Sequence, residues 1–366
     1  MSEIVDLITQ SDTYTKDEIV ALLGLTDKEA INRLAVKASA VKEKYVGKIT
    51  YFRGLIEFSN YCSKNCLYCG IRKGNINVER YKLSRQEIVD AAVFAWKNRY
   101  GSIVLQSGEL ESEAFTDFIC GVLEEIKQKT NGQLGITLSC GEQSPEVYQR
   151  FFNSGAHRYL LRIETSDREL YYKIHPEDGM HSFERRLECL SVLRDLGFQV
   201  GTGIMVGLPW QTIESIADDL LFIRDFGAHM VGLGPYIEHS QTPLYDAREL
   251  LIDKIDRFHL TLKAIAILRL MMKDINIAAA TALQTLDLMG RERALRFGAN
   301  IIMPNITPTV YRKDYQLYED KPCIDEDAEQ CKDCLKNRIA LIGDTIGYDD
   351  WGDSPRFFNS GQTKTP

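Results

Sequence analysis

Apolar residues recur at three- and four-residue intervals over the first 48 positions, a spacing typical of amphipathic helices. Ile4, Leu7 and Ile8 form the first such stripe. The segments 15–18 (Thr-Lys-Asp-Glu) and 26–29 (Thr-Asp-Lys-Glu) each have the form of a capping box, in which a threonine begins a helix and a glutamate three residues later supports it. We therefore expect residues 1–48 to form an N-terminal helical layer that closes one end of the main fold.

From residue 49 onward, short β-rich runs alternate with helical segments. The runs cover residues 49–58, 103–106, 135–139, 159–164, 200–206, 229–234, 275–281 and 300–304. Strands that alternate with helices favour a parallel sheet, and eight of them predict an α/β fold, a TIM-type (βα)8 barrel over residues 49–304. An open barrel of six or seven strands would show the same pattern. The active site of such a barrel lies at the C-terminal ends of its strands.

The alternation stops at residue 305, where a C-terminal extension over residues 305–366 begins. Pro304, Pro308 and Pro322 interrupt regular structure there. We expect this extension to pack across a mouth of the barrel.

The composition is that of a globular protein with a large core: 44% of the 366 residues are hydrophobic and 26% are charged. The net charge of −8 and the absence of a dense Lys/Arg tract argue against nucleic acid as a partner. No stretch of the sequence is apolar for the length of a membrane span, so we expect no membrane association and a cytoplasmic location. Nine cysteines, six of them in two tight triplets, indicate metal ligation in a reducing compartment rather than disulfides.

Cys62, Cys66 and Cys69 lie within eight residues. Three thiols cannot all pair as disulfides, but thiolates converging from one loop suit zinc or an iron–sulfur cluster. A structural zinc needs a fourth ligand nearby, and no Cys or His follows until Cys120. A [4Fe–4S] cluster held by three cysteines instead leaves one iron open to another ligand. A zinc knuckle, or cysteines without a metal, remains the alternative.

Polar residues follow the predicted strands where a barrel has its active site. They include the segments 106–109 (Gln-Ser-Gly-Glu) and 139–142 (Ser-Cys-Gly-Glu). Strand alternation also places Arg162 and Glu164 on one face. Opposite charges inside a barrel are costly unless they bind something, and a zwitterionic aminoacyl ligand would fit them. A mutual salt bridge is the alternative.

A second triplet, Cys323, Cys331 and Cys334, lies in the C-terminal extension. It predicts either a small zinc or iron–sulfur staple or a functional second cluster. Acidic neighbours disfavour thiolate formation, so we expect an accessory and labile site.

The spacing of the first triplet, with Tyr68 before its last cysteine, resembles the signature of radical S-adenosylmethionine (SAM) enzymes. The glycine-rich segment 201–209 resembles the part of that superfamily that passes the adenine of SAM, although Gln211 and Thr212 stand where a glutamate is common. Over residues 45–358 the chain resembles more closely the HydE family, the radical SAM maturases of [FeFe]-hydrogenase. The most specific segments are residues 58–70, 104–109, 158–165, 298–308 and 311–318.

This resemblance implies roles for individual residues. Cys62, Cys66 and Cys69 would hold the catalytic [4Fe–4S] cluster, and Cys323, Cys331 and Cys334 an accessory [2Fe–2S] or [4Fe–4S] cluster. The residues that would bind SAM are Tyr68, Gln106, Ser107, Gly108, Glu109, Glu164, Arg186 and Met205. The residues that would line the substrate cavity are Ser139, Arg162, Thr281, Tyr315 and Tyr318. Ala280 stands where some members have a second threonine.

The resemblance also implies an activity. An enzyme of this family would cleave SAM reductively to a 5′-deoxyadenosyl radical and act in assembly of the diiron subsite of the hydrogenase H-cluster. The substrate would be small or organometallic, a cysteine-bound iron carbonyl/cyanide unit received from the maturase HydG, with radical attack on its sulfur. Implied partners are a ferredoxin- or flavodoxin-type electron donor and the other maturases.

Three alternatives remain open. Methylornithine synthase is the nearest, but would not be expected to carry the second triplet. Biotin synthase holds a second cluster with cysteines on inner strands, whereas the runs 200–206 and 229–234 contain none. A non-catalytic scaffold that stores a cluster would not need the charged residues Glu109, Glu164 and Arg186.

Overall fold

The computed structural model describes residues 2–325 and 328–359, with side chains for all of these except residues 2 and 328–333. Within these ranges, eight parallel strands form a closed barrel: β1 (Ile49–Ser59), β2 (Ser102–Ser107), β3 (Gly135–Ser139), β4 (Arg158–Leu160), β5 (Gln199–Val206), β6 (Met230–Pro235), β7 (Asn276–Ala279) and β8 (Ile301–Ile302). Each strand pairs with the next in the chain, and β1 pairs with both β2 and β8. The predicted closed (βα)8 barrel is confirmed, and the open alternative is wrong.

Helices surround this barrel. The described helices are α1 (Ser2–Ile8), α2 (Lys16–Leu23), α3 (Lys28–Tyr45), α4 (Arg85–Lys97), α5 (Glu113–Lys129), α6 (Pro145–Asn153), α7 (Arg168–Ile174), α8 (Phe183–Asp195), α9 (Ile213–Phe226), α10 (Lys254–Met271), α11 (Ala282–Leu286), α12 (Gly290–Arg296), α13 (Thr309–Arg312), α14 (Ala328–Leu341) and α15 (Pro355–Asn359), with a 3₁₀ helix at Pro243–Leu250. Apolar side chains buried between strands and helices form the core. No helix in the described ranges combines the length and apolarity needed to cross a membrane.

The N-terminal helices pack against the outer helices of the barrel, α2 against α9 and α10, and α3 against α10 and α12. Thr15 and Glu18 form the predicted capping box of α2. The second predicted box is wrong. Asp27, not Thr26, begins α3, because its backbone is extended and its carboxylate accepts the Ala30 N–H at 2.9 Å.

β4 ends earlier than the sequence predicted. It pairs regularly with β5 only to Leu160, and the chain rejoins β5 at a bridge between Glu164 and Ile204, one residue out of the earlier register. Glu164 has φ +66°, a conformation that a side chain disfavours. Residues 161–164 therefore form an irregular edge beside the cavity, which the simple alternation of a strand could not reveal.

The C-terminal extension reaches both ends of the barrel rather than the one mouth that was expected. At the C-terminal ends of the strands, Leu317 O accepts the N–H of Gly70 at 2.9 Å. At the opposite end, a ninth strand, β9 (Thr345–Ile346), pairs with the start of β1. There Asp353 lies 2.7 Å from the guanidinium of Arg158, the first residue of β4. The extension thus closes the barrel at top and bottom.

Candidate active site

A cavity of about 360 Å³ lies inside the barrel, towards the C-terminal ends of the strands. Every residue that the sequence assigned to the catalytic cluster, to SAM or to substrate lines it: Cys62, Cys66, Tyr68, Cys69, Gln106, Ser107, Gly108, Glu109, Ser139, Arg162, Glu164, Arg186, Met205, Thr281, Tyr315 and Tyr318. The structure therefore brings these residues together. Their individual roles stay predictions.

Cys62, Cys66 and Cys69 lie in the loop after β1 and form no disulfide. Burial, and then the neighbouring thiols, raise the pKa of Cys66 well above its usual value, and burial raises the pKa of Cys69 to about 12. Three thiolates here would repel one another unless a cation stood between them. Among the described residues, no three His, Cys, Asp or Glu side chains are arranged to hold a single metal ion. The three thiols share one wall of the cavity.

Side chains that the sequence did not single out hold this cysteine loop. Arg80 donates to four backbone carbonyls, among them Asn60 O at 2.6 Å and Ile71 O at 2.7 Å. His181 Nε2 accepts the Asn65 N–H at 3.0 Å. A guanidinium can satisfy several carbonyls at once because its donors point outward in a rigid fork. These contacts define the shape of the loop.

Gly108 lies where the turn after β2 touches the cysteine loop. A Cβ at this position would overlap Tyr61 O and lie 2.8 Å from Cys62 Cβ. The backbone N–H of Glu109 is directed at Cys62 Sγ at 3.4 Å. Only glycine permits so close an approach, so the turn and the cysteine loop form one wall.

Charged side chains alternate along the upper part of the cavity. Lys64 Nζ lies 3.0 Å from Glu109 Oε1 and 2.9 Å from Glu142 Oε2, while Arg186 Nε lies 2.5 Å from Glu142 Oε1. Burial raises the pKa of Glu109, whereas Arg186 and Lys64 overcome burial and lower the pKa of Glu142. Glu109 Oε1 is buried and close to Lys64, but no aligned hydrogen bond reaches it. Lys64 is therefore the cation nearest to this oxygen of Glu109.

Arg162 and Glu164, which are two positions apart in the chain, form an ion pair. Arg162 Nε lies 2.9 Å from Glu164 Oε1, and Arg162 Nη2 lies 2.8 Å from Glu164 Oε2 and 2.8 Å from Ile204 O. The mutual salt bridge that the sequence left open is thus present, with both side chains still lining the cavity. Arg162 O in turn accepts from Arg186 Nη1 at 2.6 Å, which links the two cations.

The deeper part of the cavity contains charged residues that the sequence did not predict. Arg53, Glu57 and Lys321 line it together with Thr281 and Tyr315. Lys64, in the upper part of the cavity, was missed too. Glu142 was named only as part of the segment 139–142, without a role, and it contacts Lys64 and Arg186 from behind the lining. Lys64 stands between two candidate ligands and Glu142 follows a predicted strand, so position along the chain was the available signal. For Lys321 the sequence carried no signal.

Of the second cysteine triplet, Cys323 and Cys334 lie outside the cavity lining. Cys323 has φ +64°, and Arg291 Nη2 approaches its Sγ at 3.9 Å. Cys334 is exposed. The side chain of Cys331 lies outside the described residues, so the accessory cluster stays a prediction.

The chain is similar to known proteins over most of its length. Residues 56–223 match the family model of the Radical SAM superfamily. The chain is 42% identical to the [FeFe] hydrogenase maturase subunit HydE of Thermotoga maritima, over 98% of this chain and 99% of that protein. It is 29% identical to the 3-methylornithine synthase of Methanosarcina acetivorans, over 81% of this chain and 80% of that protein. The solved structure of methylornithine synthase (PylB) shares the fold, with a TM-score of 0.79 at 24% identity over 94% of this chain and 98% of that one.

Proposed function

Because the chain belongs to the HydE family of radical SAM enzymes, we propose that it acts in maturation of [FeFe]-hydrogenase, in assembly of the diiron subsite of the H-cluster. The observation that carries this proposal is the shared cavity. Three half-buried thiols, charged side chains of both signs and an inner chamber all face the same space. A protein that merely stored a cluster would not need the last two features.

The residues present fit the cofactors that such an enzyme uses. Cys62, Cys66 and Cys69 would hold a [4Fe–4S] cluster, and Glu109, whose side chain lines the same cavity, would accept from the SAM ammonium group. Arg186, which also contacts Glu142, supplies a cation for the SAM carboxylate. When bound, the reduced cluster and SAM together supply a 5′-deoxyadenosyl radical. The protein's own part is to orient SAM and to exclude water from the chamber.

The inner cavity suits a small anionic substrate. Arg162 presents a guanidinium, and Ser139, Thr281, Tyr315 and Tyr318 supply hydroxyl groups. Hydroxyls fix the orientation of a small ligand, while the cation attracts its charge. We propose a cysteine-bound iron carbonyl/cyanide unit, delivered by HydG and attacked at sulfur, as this substrate. Ala280 lies at the same wall without a hydroxyl.

The proposal includes partners. Reduction of the cluster requires a low-potential donor of ferredoxin or flavodoxin type, and delivery of the substrate requires the other maturases. We place the protein in the cytoplasm, because thiol ligands need a reducing compartment.

Activation of apo-hydrogenase tests the proposal. Anaerobically reconstituted protein is mixed with the partner maturases, SAM and a reductant, and hydrogen evolution is measured. We expect activity that is absent when this protein is left out. If the complete mixture stays inactive while the protein converts lysine to methylornithine, the second candidate, a methylornithine synthase-type mutase, replaces the proposal. The similarity to the Methanosarcina acetivorans enzyme makes that the alternative to test.

A further inference from the structure

Two turns that deliver side chains to the cavity lie side by side at the C-terminal ends of β4 and β5. The first follows Glu164, and the second follows Met205. Both residues line the cavity, and their backbones pair directly, since the Met205 N–H donates to Glu164 O at 3.1 Å. The two turns also meet at one carboxylate behind the cavity wall, Asp219 of α9.

Asp219 Oδ1 holds the first turn. It accepts hydrogen bonds from the Ser166 N–H, from Ser166 Oγ at 2.7 Å and from Thr165 Oγ1 at 3.2 Å. These donors immediately follow Glu164, whose φ of +66° is disfavoured for a residue with a side chain. A strained backbone persists only where its surroundings over-determine it. Asp219 holds the two residues that follow Glu164 in the chain, Thr165 and Ser166.

Asp219 Oδ2 reaches the second turn through Gln211. Gln211 Nε2 donates to Asp219 Oδ2 at 3.4 Å and to Met205 O at 3.1 Å. Gln211 Oε1 accepts the N–H groups of Gly207 at 2.7 Å and Leu208 at 3.2 Å. Every polar atom of the Gln211 amide therefore has a partner within this turn or on Asp219.

We propose that Asp219 is a positioning residue for SAM, which ties the turn after β4 to the turn after β5 so that Glu164 and Met205 face the same ligand. The inference rests on the proposed function, because it presumes that this part of the cavity binds SAM. Asp219 itself does not line the cavity. It acts through Gln211 and the two backbones.

The cost of burying Asp219 supports this role. Its side chain is fully buried on a helix face whose neighbours Ile216, Leu220 and Ile223 are apolar. Burial raises the pKa of Asp219 to about 7, even though the Ser166 and Thr165 donors act to lower it. An apolar residue would pack here without the cost of removing a carboxyl group from water. The Asp219 carboxylate is costly to bury, and yet both of its oxygens accept hydrogen bonds. We explain its presence by the geometry that these bonds impose on the two turns.

Every partner of the Asp219 carboxylate donates a hydrogen bond to it. We therefore predict that asparagine, whose amide has one acceptor oxygen and one donor NH2, cannot make the same set of bonds. In Asp219→Asn, if the new amide oxygen kept the Ser166 and Thr165 donors, the new NH2 would face the NH2 of Gln211. A flip of the Gln211 amide would remove that conflict but would set its NH2 against the N–H groups of Gly207 and Leu208. The further change Gln211→Glu relieves part of the conflict, because one carboxylate oxygen accepts from those N–H groups and the other accepts from the introduced amide. It does not restore every contact, because Met205 O loses the donor that Gln211 Nε2 supplies.

The experiment compares Asp219→Asn, Gln211→Glu combined with Asp219→Asn, and Asp218→Asn. Asp218 is the matched control, the preceding residue on α9, where its carboxylate is about half exposed and paired with Lys16 at 2.7 Å. Each protein is reconstituted with iron and sulfide under anaerobic conditions. SAM is titrated against the EPR signal of the reduced cluster to give a Kd, and the rate of 5′-deoxyadenosine formation at saturating SAM and the Tm are measured separately.

We expect Asp219→Asn to weaken SAM binding about tenfold, the effect of losing one hydrogen bond to a charged group. The rate at saturating SAM should stay within about threefold of wild type and the cluster content should match wild type. Only a small fall in Tm is expected, because the poorly bonded amide costs stability while the removal of a buried carboxylate partly offsets that cost. The double variant should recover part of the affinity, and Asp218→Asn should match wild type in every readout.

Three results would overturn the inference. Asp219→Asn with the SAM affinity of Asp218→Asn would remove any positioning role. A loss of affinity that only accompanies a lower Tm and a lower cluster content would make Asp219 a residue of the fold. If wild-type protein itself binds no SAM, the proposed function fails and this inference with it, an outcome that the wild-type titration identifies before any variant is compared.

Discussion

Inside the barrel, Lys321 Nζ of the C-terminal extension donates a hydrogen bond to the Glu57 carboxylate of β1. Only 6% of the Lys321 side chain and 1% of the Glu57 side chain are exposed. Lys321 also donates to Tyr315 O at 3.0 Å, and Glu57 Oε2 accepts from Asn305 at 3.1 Å. The segment that carries Tyr315 and Tyr318 over the cavity is therefore attached to the first strand through a buried ion pair.

This arrangement predicts that the two residues depend on each other for stability. Lys321→Met removes the cation and leaves the Glu57 carboxylate buried, so we expect the free energy of unfolding to fall by about 3–5 kcal/mol. Lys321→Met combined with Glu57→Gln should lose much less, because no charge stays buried. Urea denaturation of the metal-free full chain measures both. Equal losses in the single and double variants would contradict the coupling.

The periodicity of the sequence was sufficient for the barrel because strand and helix patterns arise from local alternation of apolar and polar residues. The departure at β4 was not predictable in this way. The φ of +66° at Glu164 is held by partners on β5 and α9, among them Asp219, which is 55 residues later in the chain. Only the folded chain brings these partners together.

The candidate site likewise combines residues that local sequence patterns identified with residues that only the folded chain brings together. Cysteine spacing and polar residues after strands identified much of the cavity lining. Arg53 and Lys321 were missed because each depends on contacts far away in sequence, such as Arg53 Nη2 with Gly352 O at 3.0 Å. The role of the C-terminal extension at the lower end of the barrel was missed for this reason too.

The three cysteines of the first loop should be individually essential. Changing Cys62, Cys66 or Cys69 to Ala leaves two ligands for a cluster that needs three, so we expect no SAM cleavage and a lower iron content. Cys120→Ala is a matched control, because Cys120 is buried in α5 and does not line the cavity. The assay is 5′-deoxyadenosine formation after reduction. A Cys66→Ala protein that forms it at the wild-type rate would contradict the radical SAM mechanism.

The second triplet should be dispensable for SAM cleavage. Cys323 and Cys334 lie outside the cavity lining, so we expect a protein with Ala at Cys323, Cys331 and Cys334 to form 5′-deoxyadenosine at a rate near that of wild type. Loss of iron and some loss of stability are expected, since metal binding couples to local folding. Iron analysis and Tm measure these effects. Complete loss of SAM cleavage in a folded triple variant would place the second triplet in the catalytic machinery.

Arg162→Lys should separate substrate turnover from SAM binding. Lysine keeps the positive charge but cannot form the fork that now reaches both oxygens of Glu164 and the carbonyl of Ile204. We expect hydrogenase activation to fall about tenfold or more, with a smaller change in the Kd for SAM. Arg185→Lys, at a more exposed position on α8, is the control. Equal effects of Arg162→Lys on both readouts would assign this arginine to SAM instead.

His157 should make the folded state sensitive to acid. Burial, followed by the charge of Arg158, lowers the pKa of His157 to about 3, although Asp353 opposes the shift. Below pH 6.5, His157 therefore becomes protonated in the unfolded chain but stays neutral in the folded chain. The free energy of unfolding therefore decreases as the pH falls. The loss from this group is about 1.4 kcal/mol per pH unit, or about 2 kcal/mol between pH 6.5 and 5. His157→Asn loses the contact with the Trp351 ring, so it should be less stable than wild type at pH 7.5. Because the variant lacks the titrating group, that difference should shrink towards pH 5 when both metal-free proteins are unfolded in urea. A difference that stays constant across this range would show that His157 titrates normally in the fold.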